Sequence, residues 1–422
     1  MKIDPRHIPE PVLEVCQALG DAGFRAWVVG GCIRDLLMGR PVSDWDLATS
    51  ALPEEVQRTF KRTFPTGIDH GTVTVLHRGE GYEVTTLRGD GTYSDGRRPD
   101  AVQLGVSIEE DLARRDFTVN AIAYDPITYE VVDPWDGLKD LVARRIRAVR
   151  DPKERFGEDG LRVLRAARFA ATLGFELDEE TRAAIPGSLG TFAKVTPERV
   201  HEEWRKAFEK SDMPSRAFRI MRDTGILAIT LPPLAAIDAP RFEATMRRID
   251  RAPAEHVLRL AALLVDVAAD GDGWLDDWLR EQMRASNHER KRVLHLVAHT
   301  RVPEAASLDA PALRRWLSGV GARDVYDVLV LAGADGRDVA VLDRRVREEL
   351  DRGTPLTTGD LAVNGQDVMH VLGVRPSRAV GEVLRRLLER VHLDPACADR
   401  EALLAAIPEA HREVLDAPES IG

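Results

Sequence analysis

Apolar positions change rhythm several times along the first 150 residues, and each change marks an element. Val12, Val15 and Leu19 recur three or four apart with a glycine near the end of the run, which predicts a helix over 11–22. Trp27, Val28 and Val29 form a short run stopped by Gly30 and Gly31, the pattern of a strand entering a turn. A helical segment carrying Arg34 and Asp35 follows, then a second apolar stretch holding Asp44 and Asp46. Pro53 begins another helix. Residues 71–77 alternate and are rich in β-branched side chains, so they read as a strand, with 83–88 as its antiparallel neighbour after a turn at Gly79–Gly81. Residues 90–100 (DGTYSDGRRPD) are a loop by composition, long enough to be mobile. Residues 111–123 mix charge with an apolar helical face, and 131–137 read as a strand entering a turn. Past about residue 150 strand signals nearly vanish and helix follows helix. Caps and stops recur at Thr196-Pro197, Asp238, Asp309 and Thr358-Gly-Asp360. The pattern is α+β: a mixed sheet head followed by an all-α extension.

Composition narrows the setting. At 422 residues the chain exceeds what one hydrophobic core organises, so several domains are expected. It is 44% hydrophobic and 31% charged, without an apolar run long enough to span a membrane, and its beginning lacks the apolar core of a signal peptide. Three cysteines, Cys16, Cys32 and Cys397, show no CxxC spacing, which fits a reducing cytoplasm better than disulfides or zinc. The net charge of −11 argues against a surface coated for nucleic acid, yet two segments run against it. Residues 142–169 hold nine basic side chains against four acidic ones, and 283–301 (MRASNHERKRVLHLVAHTR) is basic with one Glu. Each is either a solvated helix face or a contact for RNA or nucleotide.

The candidate chemistry concentrates in residues 27–50. Glycines let backbone N–H groups approach a phosphate, and a helix start behind the turn adds its positive dipole end. On a strand, Asp44 and Asp46 would share a face, and converging carboxylates suit a hard cation such as Mg²⁺ carrying a triphosphate. Glu83, on a strand able to pair near them, is a candidate third carboxylate; a surface glutamate is the alternative. Taken singly, the Gly-Gly is an ordinary turn and the Asp-x-Asp an ordinary solvated pair.

Together with GGCIRDLLMGRPVSDWDLAT come TGIDHGTVTV, DGTYSDGRRPD, RRDFTVNAIAYD, DPWDGLKDL, RAVRDPKERFGEDGLRVLRAARFAATLGFEL and VTPERVHEEW, and further on LAVNGQDVMHVLGV and GEVLRRLLERV. In this order the motifs resemble the class II tRNA nucleotidyltransferase and poly(A) polymerase family over nearly the whole length. The resemblance implies a polymerase-beta-like nucleotidyltransferase head over 1–150, a nucleotide-selecting helical neck over 151–211, a helical body over 212–350 and a tRNA-binding tail over 351–422. It implies two Mg²⁺ ions held by Asp44 and Asp46, with Glu83 completing the catalytic carboxylates. Gly30, Gly31 and Arg34 would meet the triphosphate, and Arg115, Asp116 and Asn120 the ribose and phosphates, with a structural ion pair the alternative for Asp116. The substrates implied are CTP, ATP and the 3′ acceptor end of tRNA, with no protein partner.

Asp159 and Arg162, read as i and i+3 on a helix with Arg165 and Arg168 continuing the row, would by the same resemblance select the base. The carboxylate accepts from the exocyclic amine of cytosine or adenine, and the guanidinium donates to the adjacent ring nitrogen; uracil and guanine present the reverse pattern. The family's poly(A) polymerases carry an Arg-rich strand where this chain has PTGIDHGTVTV, and its CC-adding members tend to lack the loop present here. Full CCA addition is therefore favoured over A-only addition. A His-Asp phosphohydrolase is disfavoured because Val265 stands where some relatives carry the metal-binding His, leaving Asp266 a remnant or surface residue. The retained acidic and Asp159/Arg162 set likewise disfavours a non-catalytic tRNA-binding protein. His288, His295 and His299 point to RNA backbone contact or packing, not to a metal.

Overall fold

A computed structural model describes residues 3–89, 103–268 and 273–416. The 90–100 loop lies outside them. The chain divides into two compact units, Met1–Ile237 with Asp277–Arg284, and Asp238–Asp276 with Ala285–Gly422.

The first unit is built on a seven-stranded sheet. Its strands are β1 (Ala26–Val29), β2 (Asp46–Thr49), β3 (Thr63–Gly67), β4 (Thr72–His77), β5 (Glu80–Thr86), β6 (Ala123–Asp125) and β7 (Glu130–Val132), ordered β3-β4-β5-β2-β1-β6-β7. Only β2 and β5 run parallel, with Asp46 opposite Glu83. Every residue of β1 is buried, as a central strand with an unbroken apolar run requires, whereas β4 buries alternate positions, Val73 and Val75. Helices α1 (Glu10–Asp21), α2 (Gly31–Leu37) and α3 (Pro53–Thr59) accompany this part of the sheet. Val12, Val15 and Leu19 of α1 are fully buried, which is the face their spacing predicted. The β4–β5 turn is tighter than the sequence suggested: Arg78 and Gly79 both take positive φ and β5 already begins at Glu80. Strand β3 carries no alternation to announce it. Pro65 cannot donate to a ladder, and the strand sits at the sheet edge with a register shift between Phe64 and Gly67.

Residues 111–123 are not one helix. Helix α4 (Ile108–Ala113) stops, Phe117 bridges to Ala148, Thr118–Asn120 makes a single 3₁₀ turn, and β6 follows. Side chains here compete with the helix for backbone partners. The Phe117 N–H donates to Asp116 at 2.8 Å, and the Thr118 hydroxyl donates to Asp140 at 2.7 Å. Helix α5 (Gly137–Ala143) packs so closely on this turn that a Cβ at Gly137 would lie 2.2 Å from the Thr118 carbonyl oxygen. Helices α6 (Pro152–Glu158), α7 (Leu161–Leu173), α8 (Glu179–Ala184), α9 (Leu189–Phe192), α10 (Pro197–Lys210) and α11 (Ser215–Thr224) follow, with a short parallel pair between Arg145–Ile146 and Glu176–Leu177 and two short helices, Ile226–Thr230 and Pro232–Ala236, after them. Trp204 of α10 is its aromatic centre, 5.0 Å from the Phe218 ring and 5.9 Å from the Trp278 ring.

The second unit is helical throughout its described residues. One core joins Val368, Val383, Leu387, Val391, Leu403 and Ile407 from the helices Gly365–Leu372, Arg378–Leu393 and Arg400–Asp416. Asp238 and Asp309 cap helices as expected, accepting from Arg241 N at 2.8 Å and Ala312 N at 2.7 Å. Thr358-Gly-Asp360 starts no helix: Asp360 closes a turn by accepting from Thr357, and Asn364 caps the helix that follows. Nor is Asp266 a plain surface residue, since it accepts from Thr245 at 2.7 Å and from the buried Arg248 at 3.0 Å. The His295 and His299 rings lie against each other, centroids 4.4 Å apart and planes tilted by 38°. No helix among the described residues is long and apolar enough to cross a membrane.

Adding a methyl at Gly137 must displace the Thr118–Asn120 turn. Gly137→Ala is expected to lower stability by about 1–3 kcal/mol, read as a shift in the urea midpoint; an unchanged midpoint contradicts the close approach.

Candidate active site

The first unit contains a cleft of about 580 Å³. One wall comes from β2, β5 and α2. Asp46 opens β2 beside Glu83 of β5, and both line the cleft. Asp46 keeps a solvent-facing side while the surrounding protein desolvates its carboxyl. That burial pushes its pKa up, Arg115 pulls it down, and the charges of Glu83 and Asp44 push it up again. Carboxylates crowded in this way are the donor set of a hard cation, whose charge would relieve their repulsion. Asp44 does not share the strand face predicted for it. It precedes β2, is exposed, accepts from the Ser43 hydroxyl at 2.9 Å, and is not part of the cleft wall.

Gly30 turns the chain from β1 into α2 at φ +78°, and a Cβ there would come within 2.6 Å of an Arg115 guanidinium nitrogen. Gly30 thus acts from behind the wall, while Gly31, the first residue of α2, lines it. From α2 a polar chain crosses the cleft. Arg34, buried, donates to Asn120 at 2.5 Å, and Asn120 donates to Asp116 at 2.9 Å. Asp116 accepts two bonds from Arg165, at 2.8 and 2.6 Å. Arg165 also reaches Glu203 of α10 at 3.3 Å, and Glu203 takes a second, very short bond from Arg168. The Phe169 ring lies among three guanidiniums, with Arg168 3.8 Å, Arg165 5.2 Å and Arg34 5.3 Å from its centroid. Burial pushes the Asp116 carboxyl up, but the Arg165 charge and the bonds from Asn120 and Arg165 outweigh it and hold the group down at about 2.

Asp159 and Arg162 are both on the cleft wall, but not as an i, i+3 pair on one helix. Asp159 sits in the break between α6 and α7 with extended backbone, φ −142°. Its Oδ1 accepts from Leu161 N at 3.0 Å and from Arg199 at 3.2 Å, and its Oδ2 from Arg199 at 2.7 Å. Arg162 donates instead to Glu158 at 2.7 Å and to the carbonyls of Arg155 and Arg114, both at 2.9 Å. Gly160, next to the break, lets it pack closely: a Cβ there would lie 2.6 Å from the Thr191–Phe192 backbone. Sequence reasoning placed Arg34, Arg115, Asp116, Asn120, Arg165 and Arg168 in one site, and the structure brings them together. It missed Phe169, Arg199, Glu203, Lys206 and Lys210. The available signal was the 4-3-4 spacing of Arg199, Glu203, Lys206 and Lys210, which is one face of α10.

Known proteins carry the same architecture. Residues 26–147 match the Poly A polymerase head domain, and 174–238 the probable RNA and SrmB-binding site of polymerase A. The CCA-adding enzyme of Lactobacillus delbrueckii subsp. bulgaricus is 38% identical over 385 residues, spanning 90% of this chain and 92% of that protein. That of Geobacillus kaustophilus is 36% identical over 409 residues, spanning 96% and 97%. The chain belongs to the class II CCA-adding enzyme and poly(A) polymerase family. Among solved structures of that family, the Bacillus stearothermophilus CCA-adding enzyme in complex with CTP superposes with a TM-score of 0.81 at 31% identity, covering 96% of this chain and 98% of that one. The family's nucleotidyl transfer typically uses metal ions, which the crowding of Asp46 and Glu83 fits.

In this family member Asp116 also carries stability. Its folded value of about 2 lies below the ordinary 3.8, so its contribution is complete above that value and is lost as pH falls through about 2. Asp116→Asn is expected to remove about 2 kcal/mol at neutral pH and to flatten the acid limb of stability between about pH 4 and 2. Urea unfolding across that range checks this; parallel limbs in the two proteins would count against it.

Proposed function

We propose that the chain adds CCA to the 3′ end of tRNA from CTP and ATP, releasing pyrophosphate and using no nucleic-acid template. The observation that carries this is a single cleft with a carboxylate pair, Asp46 and Glu83, on one wall and Asp159 with Arg162 on another, in a chain similar along its length to CCA-adding enzymes. In this reading the head over 1–150 performs transfer, the neck over 151–211 selects the nucleotide, and the body over 212–350 and tail over 351–422 hold tRNA. The three free cysteines fit a cytoplasmic enzyme.

Asp44, Asp46 and Glu83 would hold two Mg²⁺ ions, which supply charge stabilisation to the attacking 3′-hydroxyl oxygen and the departing pyrophosphate oxygen. Gly31 presents backbone to the triphosphate, and Gly30 keeps Arg115 close behind it. Arg34, Arg165 and Arg168 offer charge-assisted donors to the phosphates, with Asn120 and Asp116 fixing the orientation of the first two and Glu203 that of Arg168. Asp159 orients its carboxylate through Leu161 N and Arg199. Two bonds already fall on Oδ1 and one on Oδ2, so Oδ2 keeps the better free acceptor position for an exocyclic amine. Arg162 must turn part of its fork from Glu158 towards the ring nitrogen. A base with the opposite donor pattern leaves both groups unpaired, which is how a polar site rejects an analogue.

The deciding assay supplies the purified chain with tRNA transcripts ending before the first C or after the second, with CTP, ATP or UTP. CTP and then ATP incorporation is expected; ATP incorporation on the CC-ending transcript alone would make it an A-adding enzyme. Arg162→Ala and Asp159→Ala should each lower discrimination against UTP by at least about a hundredfold. Full discrimination in either variant refutes base reading by this pair.

A further inference from the structure

The basic segment at 283–301 is not used by the cleft, and it builds a recess of its own within the second unit. The helix Asn287–His299 carries His288, Lys291, Arg292 and His295 at i, i+3, i+4 and i+7, a single face. Arg323 and Asp324, just before the helix Val325–Ala334, close the recess at about 310 Å³. Most of these groups are already committed. Arg292 is paired with Asp327 at 2.6 Å, and the His295 Nε2–H donates to the Val320 carbonyl at 2.7 Å, with Asp324 3.8 Å away. Lys291 and Arg323 are not: among the described residues neither has an ion pair or hydrogen bond.

The lining decides the ligand class. One carboxylate cannot hold a metal ion against three permanent cations. No aromatic ring other than the two imidazoles faces the recess, so a nucleobase has no stacking platform. What remains is an anion with several oxygens, matched by the fork of Arg323 and the point charge of Lys291. A chain of net charge −11 repels a polyanion at long range, so RNA must meet concentrated positive sites. We propose that this recess seats a backbone phosphate of tRNA, making Lys291 and Arg323 sequence-independent RNA contacts separate from the cleft. The assignment rests on the tRNA reading above.

The test is filter binding of a tRNA transcript to the full chain across a salt series, alongside steady-state CCA addition. Lys291→Ala/Arg323→Ala should weaken tRNA binding by roughly tenfold at low salt and reduce the slope of log Kd against log salt by about one to two. KM for tRNA should rise while kcat and KM for CTP stay unchanged. The charge-retaining Lys291→Arg/Arg323→Lys should keep the wild-type slope, separating charge from folding damage. An unchanged slope and KM in the alanine variant overturns the proposal. So does retained tRNA binding combined with loss of thermal protection by inorganic phosphate, which would give the recess to a free anion. Absence of CCA addition by the wild-type chain would instead be a failure of the tRNA reading.

Discussion

Like charges set close together on a helix repel, and the cleft is organised by the way that repulsion is met. Arg162, Arg165 and Arg168 follow one another at intervals of three along α7, where two unit charges about 6 Å apart cost about 3 kcal/mol at an effective dielectric of 20. Each finds its acid on a different element: Glu158 on α6, Asp116 before the Thr118 turn, and Glu203 on α10. Neutralisation therefore ties three separate pieces of chain to one helix. The Phe169 ring adds a π face among three of the guanidiniums. Removing one carboxylate leaves a buried cation without its counter-charge and loosens every element that shares it.

The same arrangement shapes how an anionic ligand could enter. Arg34, Arg162, Arg165 and Arg168 are occupied by protein acceptors in the ligand-free chain, so a triphosphate bound by them would be received by exchange of partners more than by filling an empty positive field. Exchange keeps the donors oriented beforehand, and it limits the change in net charge as phosphates arrive and pyrophosphate leaves.

Much of this could be read from residues, and the failures have physical causes. The strands announced themselves where burial alternates or is complete, as at Val73 and Val75 or along β1. The pairing of Glu83 with Asp46 followed from strand order. Asp159 was misplaced because i, i+3 spacing says nothing about a break between the two residues; the signal was Gly160, where only a hydrogen fits against the neighbouring backbone. Asp44 falls outside the strand expected for it because the period of two holds only inside a strand, and β2 begins at Asp46. Arg199 and Glu203 act from about 40 residues away, a distance at which helical spacing predicts a face but not what the face meets. Residues 111–123 carry the apolar spacing of a helix, and polar side chains with better local partners override it.

The parallel pairing of β2 with β5 inside an otherwise antiparallel sheet has a consequence for biosynthesis. Strands β2 and β5 are joined through α3, β3 and β4, so Asp46 leaves the ribosome well before the strand that carries Glu83. A parallel partner cannot be supplied by a tight turn, and here α3, β3 and β4 make up the connection. The acidic pair thus joins two strands that are far apart in sequence. A nascent or truncated chain ending before β5 would hold one of the two carboxylates and no complete donor set.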